Sequence, residues 1–308
     1  MLKFSVQLPT DRVEDPSDFV SAQAIGQLAR AIEEAGFDAC YVTEHPFPSH
    51  DWLARGGHHA LDPFVSLSLA AGATRSLLLH THVLVLAYRN PFLTAKAIAS
   101  LDVVSGGRVL VGAGAGYLEG EFAALGATFE DRNDRFDEAI RAMRAAWTGT
   151  TISMSGEVFV AEGNRMLPKP IQRPHPPIWI GGNSPRAIRR AVDLGQGWSP
   201  FPLPASGSGS VRTSAIESIG DLADGIARMR ALAEEKGREG PLDVNFVPFG
   251  LEMNVRSLPE DDVLHEQFTA LEKIGVNWLS IGLPTSSRGL YLESLARFSE
   301  TFLASRTR

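Results

Sequence analysis

Eight short apolar runs, spread over the whole chain and separated by segments of helical periodicity, limit what this sequence can fold into more than any other feature. They cover residues 2–8, 38–43, 77–86, 108–112, 177–181, 197–200, 243–247 and 276–282. Each run is strand-length, and the segments between them leave room for a crossover helix, so the strands are expected to lie parallel. Between the fourth and fifth runs, Phe136, Ile140, Met143 and Trp147 fall at i, i+4, i+7 and i+11, one face of a helix. Further helices are expected over 17–35, from Pro63 onward, over 91–104 and over 289–304. Eight such units fit an α/β fold of the closed (β/α)8 type, a TIM barrel, better than an open doubly wound sheet. A single domain over residues 1–308 suits that length.

Three segments interrupt the rhythm. Residues 150–175 hold Gly156-Glu157-Val158-Phe159-Val160 between turn formers and read as an inserted hairpin. Residues 202–214, rich in Pro, Gly and Ser, and residues 248–258 read as mobile loops. These two loops follow the sixth and seventh runs, which places them at the C-terminal mouth, where barrels build their sites.

A net charge of -7 argues against a nucleic-acid or anionic-membrane surface, since both require clustered Lys and Arg. No run approaches the roughly 18 apolar residues of a membrane span. Residues 1–4 lead directly into a strand rather than a signal peptide. The single cysteine, Cys40, has no disulfide partner and reads as a small buried hydrophobe in a reducing, cytoplasmic setting. His58-His59 is a poor metal pair, because adjacent loop residues rarely ligate one ion, and no metal is expected.

Chemistry is expected where strands meet the mouth. Glu44-His45 directly follows the second run and precedes Phe47, His50 and Trp52, a mixture of rings and polar groups. A histidine there can exchange a proton near neutral pH, or it can cap local backbone. His82-Val83 lies inside the third run, where an imidazole costs stability unless its surroundings satisfy it or a ligand needs it. Gly112-Ala113-Gly114-Ala115-Gly116 lacks the full Gly-x-Gly-x-x-Gly dinucleotide spacing and reads as a mouth loop that lets a flat ring approach backbone. Gly181-Gly182-Asn183-Ser184-Pro185 joins a strand to a helix, and its amides suit a phosphate, although a plain tight turn uses the same residues. Arg186, Arg189 and Arg190 read as a solvated helix face. No nucleophile elbow supports hydrolase chemistry.

Together, Tyr41-Val42-Thr43-Glu44-His45, Thr81 to Leu86 with Arg89-Asn90-Pro91, Leu101-Asp102-Val103-Val104-Ser105-Gly106-Gly107-Arg108, and Pro177-Ile178-Trp179-Ile180-Gly181-Gly182 give the chain a family likeness. It resembles the bacterial luciferase-like oxidoreductases over nearly its entire length, and in particular their deazaflavin branch, which uses coenzyme F-420. The resemblance implies a (β/α)8 barrel that binds coenzyme F-420, or alternatively FMN, at its mouth. It further implies a non-prolyl cis peptide at His82-Val83 whose bulge, with Thr81, backs the ring. His45 would then act beside the ring as acid or base with Glu44 and Tyr117 assisting, Gly114 and Gly116 lying close by. Gly181, Gly182, Asn183 and Ser184 would hold the phosphate. A homodimer through the second and third helices is implied as well. Tyr117 stands where the sugar-phosphate dehydrogenases of this superfamily carry an acid, which makes that substrate unexpected. The activity implied is hydride transfer with a small organic substrate. The alternatives are an FMN monooxygenase and a non-catalytic flavin-binding barrel.

Overall fold

The computed structural model describes residues 1–253 and 255–304. Ten strands form in chain order: β1 Lys3–Gln7, β2 Ala39–Val42, β3 Leu78–Val85, β4 Val109–Gly114, β5 Ile152–Ser155, β6 Val160–Asn164, β7 Ile178–Gly181, β8 Gly197–Ser199, β9 Asp243–Phe246 and β10 Trp278–Ile281. Eight of them close into a parallel barrel in the order β1-β10-β9-β8-β7-β4-β3-β2, and β5 pairs antiparallel with β6 outside it. The eight apolar runs are these barrel strands. The fold is therefore a (β/α)8 TIM barrel.

Eleven α-helices are described: α1 Ala22–Glu34, α2 His50–Ala54, α3 Pro63–Ala73, α4 Pro91–Ser105, α5 Glu119–Ala124, α6 Arg132–Trp147, α7 Pro185–Leu194, α8 Ser208–Val211, α9 Ile219–Glu235, α10 Asp261–Ile274 and α11 Arg288–Phe298. Several begin on a side-chain cap followed by proline. Asp62 Oδ1 accepts from the Phe64 and Val65 amides, and Asn90 Oδ1 accepts from those of Phe92 and Leu93. The helix expected over 17–35 is in fact two pieces. A π-turn over Pro16–Val20 precedes α1, which starts afresh because the Ser21 hydroxyl caps the Ala24 amide. Likewise, α11 passes into a π-turn over Ser299–Leu303. The expected 248–258 loop includes residue 254, which lies outside the described residues, as do 305–308.

What fills the barrel changes along its axis. Toward the N-terminal end, Ala39, Leu110, Trp179 and Trp278 form a separate buried cluster, with the two indoles edge to face at 5.1 Å. Each buried indole removes about 150–250 Å² from water, worth roughly 4–6 kcal/mol. Above this plug the interior turns polar. Ser5 Oγ meets His80 Nδ1 at 3.2 Å, Asn245 donates to Ser199 at 2.8 Å, and Ser280 donates to Asn245 at 3.0 Å. Because the lower half is sealed, any ligand must enter from the C-terminal end.

Two residues of the 101–108 motif anchor this frame. The buried Arg108 guanidinium donates to the carbonyls of Ala71 and Leu77, both at 2.9 Å, closing the C-terminal end of α3. Buried Asp102 accepts from the Ile171 amide at 2.6 Å, the Gln172 amide at 3.1 Å and the Gln172 side chain at 2.7 Å. It ties the segment that follows the β5–β6 hairpin to α4.

Candidate active site

The irregularity in β3 stands at the mouth. His82–Val83 is a non-prolyl cis peptide, and the β3–β4 register shifts between Thr81 and Leu84. His82 and Val83 are both half-buried, while Thr81 and Leu84 on either side are buried. Thr81 donates to the Gly112 carbonyl at 3.0 Å, so its side chain serves the strand pair. The His82 ring lies 5.0 Å from Tyr41 and 5.1 Å from His80. Burial pushes the His82 imidazole down to about 4, and its covered Nδ1 has no hydrogen-bond partner.

Glycines make room for the bulge. A Cβ on Gly114 would sit 3.0 Å from Val83 Cγ2, and one on Gly181 would sit 3.2 Å from Val83 Cγ1. At Gly112 a Cβ would come 2.2 Å from the Thr81 carbonyl and 3.3 Å from Val83 Cγ1. Their bare backbone thus accommodates Val83 directly, a closer use than the expected approach of a ring. Gly116 has φ +80 and faces Val85 and Phe122, farther from the bulge.

His45 follows β2 and lies amid rings: Trp52 at 4.4 Å, His58 at 4.9 Å and Tyr117 at 6.3 Å between centroids. Burial pushes the His58 imidazole down to about 4 and the Tyr117 phenol up to about 12; nearby Glu121 adds to the second shift. At pH 7 His58 is neutral and Tyr117 keeps its proton. Glu44 faces elsewhere. Its Oε2 accepts from the Val85 amide at 2.8 Å and its Oε1 from Arg89 Nε at 2.6 Å. Burial raises the Glu44 carboxyl, and although burial also opposes the Arg89 charge, Glu44 beside it lifts the guanidinium above its ordinary range. Glu44 therefore clamps the end of β3 to the start of α4.

At the far side of the mouth, the turn after β7 leads into α7, where Ser184 Oγ caps the Ala187 amide at 3.2 Å. Asn183 is fully engaged. Its side chain bonds the carbonyls of Phe201 and Ser214 and the Phe201 amide, stitching both ends of the 202–214 segment to the barrel. Its own amide donates to Thr213 Oγ1 at 2.8 Å. Arg190 corrects the expectation of a solvated arginine face. It is buried, bonds Asp137 at 2.5 Å and covers the Phe136 ring at 4.8 Å, whereas Arg189 is exposed.

Residues 2–270 match the family described as luciferase-like monooxygenase. The chain belongs to that family. Over 173 residues it is 34% identical to the F420-dependent hydroxymycolic acid dehydrogenase of Mycobacterium tuberculosis, an alignment spanning 55% of this chain and 46% of that protein. Over 112 residues it is 37% identical to the FMNH(2)-dependent dimethylsulfone monooxygenase of Pseudomonas putida, covering 35% of this chain and 31% of the relative. The chain thus spans less than half the length of these two relatives. The crystal structure of monooxygenase RslO1 from Streptomyces bottropensis superposes with a TM-score of 0.80 at 20% identity, over 99% of this chain and 100% of that one.

For this luciferase-like protein, the test is whether the mouth suits a flavin-type ring with an anionic tail. Half-buried surface at His82, Val83, Gly181 and Gly182 offers the ring a wall, and the buried oxygens Gln7 Oε1 and Thr10 Oγ1 lack partners. At the start of α7, the Thr213 hydroxyl accepts from Asn183 and keeps its own proton free to donate to an anion, at the positive end of a helix. These features fit the group. Two residues of the mouth were not singled out from sequence, Glu121 and Thr213. Glu121 comes from the short helix α5 and Thr213 from the loop after α8, and neither has a local pattern that marks it. A surface cavity of about 410 Å³, lined by Phe92, Lys96, Ile152, Val160, Arg165 and Leu167, lies outside the mouth. Among the described residues no His, Cys, Asp and Glu group could hold a metal, and no helix is long and apolar enough to cross a membrane.

Proposed function

We propose that this protein is an oxidoreductase that moves a hydride between coenzyme F-420 and a small organic substrate at the open end of its barrel. The observation that carries the reading is the His82–Val83 bulge, half-exposed at the mouth, with His45 and its ring cluster nearby. The alignment with the F420-dependent mycobacterial dehydrogenase runs over 173 residues against 112 for the FMNH(2)-dependent monooxygenase, which supports this cofactor ahead of FMN. When bound, the deazaflavin supplies the hydride acceptor or donor. The bulge supports its ring, the start of α7 with Thr213 holds its phosphate, and Glu44 with Arg89 fixes the end of β3. His45 exchanges the proton that must accompany the hydride at the substrate oxygen. Tyr117, protonated at neutral pH, donates a hydrogen bond to that oxygen. Trp52 and His58 exclude water from around it.

The subunit is proposed to work as a cytoplasmic homodimer. Val65 on α3 and Leu93 and Val104 on α4 are 58%, 73% and 71% exposed, which gives these two helices apolar outer faces that a second copy would cover. The test of function is an absorbance titration of purified protein with coenzyme F-420 and with FMN, followed by turnover with alcohols, carbonyls and imines while oxygen uptake is recorded. Tighter binding of the deazaflavin, and turnover without oxygen uptake, are expected. Preferential FMN binding with oxygen consumption would favour the monooxygenase instead. His45→Ala is expected to abolish turnover while retaining cofactor; a fully active variant would remove His45 from the mechanism.

A further inference from the structure

Across the mouth from His45, Glu121 on α5 is a buried carboxylate, 2% exposed, contributed by an element 76 residues away in sequence. Its two oxygens have different partners. Oε1 accepts from the Phe47 amide at 3.1 Å, and Oε2 faces His45 Nδ1 at 3.4 Å. The Phe47 amide can only donate, so Oε1 must remain an acceptor. In the ionised carboxylate Oε2 likewise can only accept, so it faces Nδ1 as the acceptor.

We propose that Glu121 is the positioning residue of His45, holding its imidazole in the tautomer with the proton on Nδ1 and the lone pair on Nε2. This rests on the hydride-transfer reading above. A neutral imidazole carries one proton, and the nitrogen that bears it is set by the partner of the other. With Nδ1–H directed at a buried carboxylate, Nε2 is the basic atom. In the oxidative direction, the substrate O–H bond breaks and its proton passes to Nε2. The hydride leaves the adjoining carbon with its electron pair for the oxidised cofactor, and a carbonyl product remains. The imidazolium so formed keeps Nδ1–H on Glu121, whose charge balances it. In the reductive direction, the same imidazolium returns the proton to the carbonyl oxygen as the hydride arrives on carbon.

Glu121→Gln separates this role from simple anchoring of the 45–47 segment. Its amide oxygen still accepts from Phe47, which turns the amide N–H₂ toward His45 Nδ1. Nδ1 then has to accept, and the proton moves to Nε2. The loop keeps its anchor, but the base loses its lone pair.

The experiment uses 15N-histidine-labelled full-length protein without cofactor, at a pH where His45 is neutral, with its signal assigned by loss in His45→Gln. The wild type is expected to show a protonated Nδ1 and a bare Nε2, and Glu121→Gln the reverse. In turnover, Glu121→Gln is expected to lower kcat roughly 10²–10⁴-fold while cofactor affinity and KM change little. Glu121→Asp, which retains a carboxylate, should recover part of the loss. An unchanged tautomer in Glu121→Gln, or wild-type kcat in that variant, overturns the proposal. A wild type that binds cofactor and turns nothing over would instead fault the functional reading, and the tautomer measurement would still decide the role of Glu121.

Discussion

Gly114→Ala is expected to destabilise the protein through one contact, the methyl group of Val83. The added Cβ would lie 3.0 Å from Val83 Cγ2, and no other side chain lies within 4 Å of it. Val83 Cγ1 in turn sits over the bare backbone of Gly112 and Gly181, where added Cβ atoms would be at 3.3 Å and 3.2 Å, so glycines surround this side chain. Overpacking of this kind costs about 1–3 kcal/mol, and the lower unfolded-state entropy of alanine returns about 0.4–1 kcal/mol. The net loss is about 0.5–2 kcal/mol. Val83→Ala alone, trimming a half-buried side chain, should cost about 1 kcal/mol. In the double variant the new alanine meets residue 83 only at its Cβ, 4.0 Å away, an ordinary contact. The double variant should therefore be more stable than the sum of the singles by about 1–2 kcal/mol. Urea unfolding of all four proteins at one concentration measures this coupling. Additivity within about 0.3–0.5 kcal/mol would refute the claim that these glycines exist to seat the Val83 bulge.

Three other outcomes are expected. Asp102→Ala, which strands the Ile171 and Gln172 amides, should lower unfolding stability by about 2–4 kcal/mol while cofactor binding is kept, as denaturation and absorbance titration would show. Burial opposes the Glu33 charge, but the amides of Ser76, Arg75 and Leu77 and the Ser76 hydroxyl hold its carboxyl down at about 2 against an ordinary 4.5. Its stabilisation is thus complete above pH 4.5 and fades as pH falls toward 2. The gap between wild type and Glu33→Gln, about 1–2 kcal/mol at pH 7 after solvent screening, should close over that window in pH-dependent denaturation. Leu93→Glu should shift the protein from dimer to monomer in light scattering, with its circular dichroism unchanged; an unshifted mass would place the subunit contact elsewhere.

The barrel was legible because parallel strands buried on both faces appear as short apolar runs, and β1 to β4 and β7 to β10 coincide with all eight of them. Boundaries failed where a side chain interrupts a pattern that continues on either side. Ser21 splits the first helix by capping in the middle of an apolar stretch. The arginine-rich face of α7 looked solvated because sequence shows the charges of one helix alone. Asp137, on α6, is what draws Arg190 inside. The site was partly legible in the same way. His45 follows from its position after the second run and the β3 irregularity from the family resemblance, whereas the partnership of His45 with Glu121 joins the segments after β2 and β4 and exists only once the strands are arranged in order. Glu44 shows the opposite limit. Its neighbour His45 suggested shared chemistry, but alternating residues after a strand point to different sides, and Glu44 turns toward Arg89 and Val85.

A crystal structure of the protein soaked with coenzyme F-420 tests the central claim most directly. The deazaflavin ring should lie against His82–Val83 with His45 beside it, and its phosphate should sit at the start of α7 within reach of Thr213. A ring bound in the cavity between α4 and the β5–β6 hairpin, or a phosphate placed away from α7, would contradict the account.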